Sequence, residues 1–205
     1  MDRPPSDVAF SDAVKRVQSE RGSRAAYARM ERTGGWETTV TADLRAFLAE
    51  IDTAFLATAS ADGQPYVQHR GGPRGFIRAL DAHTLAFVDF AGNRQYVTTG
   101  NLSENPRVCL FLVDYAQRRR IKVWGTARVV PADDALVASL STPGYRGHPE
   151  RIVLIDVSAW DANCPQHIPR KIDVAEVERI TGQLAARVAE LEAENRRLRA
   201  SARGT

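Results

Sequence analysis

The chain has 205 residues, 43% hydrophobic and 26% charged, with a formal net charge of +3. That balance fits one globular domain with appendages and a sizeable core, and so mild a positive excess does not by itself mark a nucleic-acid binder. No apolar stretch of about 18 residues exists, and the leading MDRPPSDVAFSDAVKRVQSERG has no apolar signal-peptide core, so the expectation is a cytoplasmic protein with no membrane partner. Two cysteines, Cys109 and Cys164, make neither a disulfide framework nor a four-ligand zinc site, and no metal is expected.

Residues 1–10 carry Pro and Ser and read as a loose end. Ser11 to Met30 has helical character, with Val14, Val17 and Tyr27 as apolar positions, an interruption near Gly22, and a break at Thr33-Gly34-Gly35. Thr41 suits a helix cap, because its hydroxyl accepts from the free amides of the first turn. The helix it starts, Ala42 to Ile51, places Leu44, Phe47, Leu48 and Ile51 on one face. Phe55–Ser60 and Pro65–Arg70 read as strands joined by the turn Ala61-Asp62-Gly63-Gln64. Gly71 to Gly75 interrupts the second strand, Phe76–Leu80 continues it, and Asp81-Ala82-His83 turns into Thr84–Asp89.

The stretch Leu85 to Val130 organises the rest. Three apolar runs, Leu85–Asp89, Val108–Asp114 and Arg120–Val130, read as strands. The polar segment between the first two, Gly92 to Asn105, is closed by Pro106 and predicts a short helix with Asn93 and Arg94 at its start. Unpaired first-turn amides beside an arginine suit an anion. Beyond lie a short helix within Pro131–Leu140, a loop Ser141–Pro149 containing Tyr145, Arg146 and His148, and a strand Arg151–Trp160. A two-proline loop, Asn163–Arg170, then leads into a long helix, Val174–Ala202. Strands following one another through tight turns, with helices at the edges, predict a mainly β fold with α additions, an antiparallel barrel or sheet.

Taken in order, GQPYVQHRGG, LAFVDFAGNRQYVTTGNLSENPRVCLFLVD and RRRIKVWGTARVV resemble the FMN-binding split barrel of the pyridoxamine 5′-phosphate oxidase-like superfamily. The resemblance spans Leu44 to Val130 and extends more weakly through Cys164–Arg170. It implies a split antiparallel β-barrel with N-terminal helices and a long C-terminal helix. The chain then divides into an N-terminal helical extension (1–40), the barrel (41–170) and a C-terminal amphipathic helix (171–205). It also implies a homodimer with FMN at the subunit interface. By the same likeness Gln68, His69 and Arg70 contribute to the flavin and its phosphate. Val88 and Asp89 lie along the ring or ribityl chain, and Asn93, Arg94 and Gln95 hold the phosphate. Arg120, joined by Lys122, reaches the ring from the partner subunit.

The sequence departs from the oxidases proper at two places. Gln95 stands where they carry Lys beside the phosphate-binding Arg. The chain also ends in LAARVAELEAENRRLRASARGT rather than in a Trp- and Arg-bearing substrate segment. The expected activity is therefore FMN-dependent oxidation or reduction of another small organic substrate, with a nicotinamide as one candidate electron donor. Open beside it are a deazaflavin or haem on the same barrel, and a non-enzymatic flavin-binding or sensor protein using the last helix for interaction.

Strand alternation sends Gln68 and Arg70 to one face and His69 to the other, and puts Arg120, Lys122 and Trp124 on one face. Cys109 reads as a small core residue. Cys164 and His167 on one stiff loop admit a nucleophilic pair, a lid placing His167 near the ring, or plain packing. His167, with Tyr145 behind it, is the candidate proton donor. In the tail, Val177, Leu184, Leu191 and Leu198 recur every seven residues with Ile180 and Val188 flanking. That pattern fits either a coiled coil in a dimer or an amphipathic helix lying on its own barrel.

Overall fold

The computed structural model describes residues 3–163 and 166–202. The chain falls into two compact units, Met1–Asp114 with Arg119–Pro165, and Tyr115–Arg118 with Gln166–Thr205.

The first unit is built on one antiparallel sheet. Its strands are β1 (Thr53–Ala59), β2 (Pro65–Gly71), β3 (Arg78–Ala79), β4 (Thr84–Phe90), β5 (Arg107–Asp114), β6 (Arg119–Pro131) and β7 (Pro149–Asn163). They lie in the order β2-β1-β5-β6-β7-β4-β3. The architecture is a mainly β, split-barrel one with α additions. β6 is the spine, pairing with β5 over Arg119–Thr126 and with β7 over Arg120–Pro131. The β6–β7 register shifts at Trp124/Gly125. A Cβ on Gly125 would sit 2.1 Å from the Asp156 carbonyl, so only glycine lets β7 approach there.

Alternation builds two apolar layers. Leu56, Leu110, Leu112, Ile121, Val123, Val153 and Ile155 fill the interior with Leu44, Phe47 and Leu48 of α3 (Ala42–Glu50). As the sequence predicts, Thr41 caps α3, its Oγ1 accepting from Leu44 N at 3.3 Å. β4 is buried on both faces: Leu85 and Phe87 enter this interior, while Ala86 and Val88 join Ile152, Leu154 and Leu140 in a second layer against Leu136 and Val137 of α5 (Asp134–Leu140).

The N-terminal segment forms α1 (Asp12–Glu20) and α2 (Arg24–Arg32). Aromatic contacts bind it to the sheet. Phe10 meets Tyr27 and Trp36 edge-on, and Trp36 stacks on Trp124 of β6 at 4.6 Å and 9°. Trp160 Nε1 donates to the Thr39 carbonyl at 2.7 Å.

Three predicted features differ. The end expected to be loose holds a 3₁₀ turn, Pro5–Val8, with Ser6 fully buried and its Oγ donating to Glu31 Oε1. Phe76–Leu80 shrinks to a two-residue strand, because Phe76 N turns back to the Pro73 carbonyl and Leu80 N already closes the turn to Thr84. The helix after Gly92 is α4 (Val97–Glu104), starting three residues beyond Arg94. Asn93 Oδ1 accepts from Gln95 N, and Arg94 and Tyr96 have φ of 59° and 55°, outside the helical region.

In the second unit, Arg118 Nε donates to the Ile168 carbonyl at 3.0 Å, and the Lys171 ammonium stands 4.1 Å from the centre of the Tyr115 ring. Its helix, α6 (Val174–Ala202), begins where the Asp173 carboxylate accepts from Ala175 N at 2.9 Å. Among the described residues no helix is long and apolar enough to cross a membrane.

Candidate functional site

β2 and β4 stand first and sixth in the sheet order, yet the curl of the sheet brings them together. Arg70 Nη1 lies 2.5 Å from Asp89 Oδ1. Around this contact a cleft of about 200 Å³ is lined by β2, the end of β4, the loop from Gly92 to Tyr96, the first turn of α4, and Glu150 and Arg151 at the start of β7. Arg70 Nη2 donates to Thr98 Oγ1 at 3.1 Å, and Arg151 Nη1 donates to Thr99 Oγ1 at 2.7 Å. Arg151 also meets Glu150 at 2.6 Å and lies 4.6 Å over the Tyr96 ring, whose hydroxyl donates to Glu150 at 2.8 Å.

Three arginines face two carboxylates in this lining, leaving one positive charge in excess. Burial raises the Asp89 carboxyl above its ordinary range, outweighing the pull of Arg70 and Arg151. Glu150 is held below its range, first by the hydrogen bond from Arg151 and then by that from Tyr96. Arg94 has no hydrogen-bonded carboxylate among the described residues. Arg70 Nε is buried and has no hydrogen-bond partner among the described residues.

Other donors are at hand. Thr98 and Thr99 accept through their oxygens, so both hydroxyl protons remain to be given. Tyr96, the N-cap of α4, makes no side-chain cap, and the first-turn amides are left for a ligand. The donor set suits a phosphate: a guanidinium not hydrogen-bonded to a carboxylate, a buried N–H without a partner among the described residues, hydroxyls and helix-start amides. The single chain offers less for the ring of a flavin. Its cleft is smaller than the roughly 300–1,000 Å³ of pockets that enclose a drug-sized ligand. Among the described residues no group of three His, Cys, Asp or Glu is placed to hold a metal.

Of the residues picked out in the sequence, Gln68, Arg70, Asp89, Asn93, Arg94 and Gln95 line this cleft together. His69 does not: it faces the other side of β2, exposed, with Nε2 2.8 Å from Thr53 Oγ1 and its ring against Phe55. Val88 is 6% exposed in the α5 layer, because alternation on β4 turns it away from Asp89. Arg120 and Lys122 lie on β6 outside the lining. Arg120 Nε is buried without a hydrogen-bond partner among the described residues, and the Lys122 ammonium stands 5.3 Å from the centre of the Trp124 ring. His167 is exposed, with φ of 62°, in the second unit, and Cys164 lies outside the described residues.

Sequence reasoning missed Tyr66, Tyr96, Thr98, Thr99, Glu150 and Arg151. Tyr66 was within reach, since the two-residue period that groups Gln68 with Arg70 includes it, and its hydroxyl hydrogen-bonds to Gln68 Oε1. Arg151 depends on the β4–β7 register, which pairs it with Asp89, and no local signal carries that.

No curated protein matches the chain in sequence. Among solved structures it is similar to HupZ of Group A Streptococcus, with 20% identity over 64% of this chain and 98% of that one and a TM-score of 0.49. It is also similar to the General Stress Protein 26 of Bacillus anthracis, with 16% identity, 57% and 88% covered and a TM-score of 0.45. For an FMN-binding protein from Syntrophomonas wolfei the figures are 10% identity, 76% and 98% covered and a TM-score of 0.46. The model of the pyridoxamine 5′-phosphate oxidase family matches residues 40–182, from just before α3 through the barrel and into α6, and the chain belongs to that family.

Proposed function

We propose that the protein is an FMN-dependent oxidoreductase, a homodimer in which each seam cleft holds the phosphate end of one FMN. The observation that carries this reading is the gathering of Arg70, Arg94 and the α4 amides around one cleft, with Arg70 Nε unpartnered. Arg94 would supply the charge for the phosphate, Thr98 and Thr99 the hydroxyl donors, and the first-turn amides the dipole. Asp89, through Arg70 and Arg151, holds both guanidiniums in place. When bound, FMN supplies two-electron redox chemistry, and the chain supplies position and charge.

The ring would extend beyond the small cleft of one chain, which is why the site needs a second subunit. Arg120 and Lys122, outside the lining of their own cleft, are the residues that would serve the partner's. The substrate is a small organic molecule other than pyridoxamine phosphate, because Gln95 replaces the Lys expected beside the phosphate-binding Arg.

Titration with FMN and with riboflavin tests this. Arg94→Ala should weaken FMN by about 1.5–3 kcal/mol, the range for a hydrogen bond to a charged group, and leave riboflavin nearly unchanged. Equal losses for the two would remove Arg94 from the phosphate site. A phosphate-bearing deazaflavin would meet the same donors, and competition against FMN in the same titration separates the two cofactors.

A further inference from the structure

α6 runs for 29 residues with no buried side chain. Taken as heptads from Val174, it puts Val174, Thr181, Val188, Asn195 and Ala202 at the a positions and Val177, Leu184, Leu191 and Leu198 at the d positions. A seam of this kind sustained over four heptads is that of a coiled coil rather than of a helix lying on a globular core. Its apolar members are open: Val177, Leu184, Val188, Leu191 and Leu198 are 43%, 61%, 54%, 44% and 62% exposed.

We propose that α6 is one half of a parallel, in-register, two-stranded coiled coil with the α6 of a second copy of this chain. Three features choose that occupant. Branched Val at a with Leu at d favours two strands. A single Asn within the seam at an a position fixes register and strand number, because in a parallel pair it faces its own copy and the two amides satisfy each other. An antiparallel pair would set Asn195 against an apolar d residue. The flanking charges agree. Arg187 at g faces Glu192 at e of the second helix, and Glu194 at g faces Arg199 at e, two opposite-sign contacts in the parallel register. Within one chain Arg187 meets Glu190 at 3.0 Å and Arg196 approaches Glu192 at 3.9 Å, both pairs exposed and weak enough to exchange for an interhelical partner. This seam is independent of flavin binding: it stands or falls on α6 alone.

Thiol cross-linking of the full chain tests it, in a Cys109→Ser, Cys164→Ser background with diamide as oxidant and low protein concentration. Thr181→Cys should form a disulfide-linked dimer roughly tenfold or more faster than Ala186→Cys on the outer face, because the seam holds the two thiols at high effective concentration. Val188→Cys is the second seam probe and should behave like Thr181→Cys. Arg187→Glu should slow seam cross-linking severalfold, and adding Glu192→Arg should restore it. Cross-linking at Thr181 and Val188 no faster than at Ala186 would overturn the proposal. So would a mixed Thr181/Leu198 cysteine pair linking faster than Thr181 to itself, which is the antiparallel outcome.

Discussion

The barrel interior and the cleft on its seam draw on the same strands and hold together by different means. β4 gives Leu85 and Phe87 to the interior and ends on Asp89 in the cleft. In the interior each side chain contributes about 1.5–3 kcal/mol by leaving water, and the many neighbours share one property. In the cleft every buried group needs a particular partner: Asp89 has Arg70 and Arg151, Thr98 has Arg70, and Thr99 has Arg151. An interior is tolerant of which apolar residue fills it, whereas a cleft of paired charges is not. What the cleft leaves without a hydrogen-bond partner among the described residues, Arg70 Nε and the Arg94 guanidinium, is what it has to offer a ligand.

The largest effect should come from the interior. Leu112→Ala, at a position with no solvent exposure, should cost about 2–5 kcal/mol in chemical denaturation. A cost below that of any single cleft change would mean that the interior is not the main support. The next effect depends on pH. Burial lifts the folded pKa of Asp89 above its unfolded value of 3.8. Between those two values the folded chain binds the extra proton, so this contribution to stability is complete below the unfolded value and is lost as pH rises through the folded one. Asp89→Asn removes that loss. Melting temperatures measured from acid upward should therefore shift in favour of the Asn variant as pH rises through that window, and parallel curves would show that Asp89 does not titrate abnormally. The smallest effect belongs to the outer face of β2. His69→Ala should change stability by no more than about 0.5 kcal/mol and leave FMN affinity unchanged. A loss of FMN there would place the far face of β2 in the site.

The interior was legible in the sequence because alternation is a local property. Leu44, Phe47 and Leu48 declared themselves by helical spacing, and Thr41 by its place before them. The opposed faces of Arg70 and His69 followed from the same rule. Where the sequence says less, the physical reasons differ from residue to residue. Arg151 enters the cleft only because β7 pairs with β4, some sixty residues away in sequence. Val88 sits in an apolar run that is buried on both faces, and a run without alternation does not say which side faces a ligand. The start of α4 was misplaced because two residues, Arg94 and Tyr96, adopt left-handed backbone that their side chains do not advertise. Trp124 shares a face with Arg120 and Lys122 and meets Lys122 there, but it also stacks on Trp36, from a segment whose role in packing the sequence does not reveal.

The ion pair at the seam has a consequence for how the protein keeps to itself. β2 is an edge strand, laddered to β1 alone, and unpaired backbone at a sheet edge is a template for strands of other molecules. At the opposite edge β3 is two residues long, too short to recruit anything. β2 has seven residues, but it opens with Pro65, alternates exposed with half-buried polar side chains, and is tied near its end by Arg70 to Asp89. A strand that opens on proline and is anchored by its arginine is a poor seed for fibre growth. The contact that shapes the cleft thus also guards an edge against aggregation.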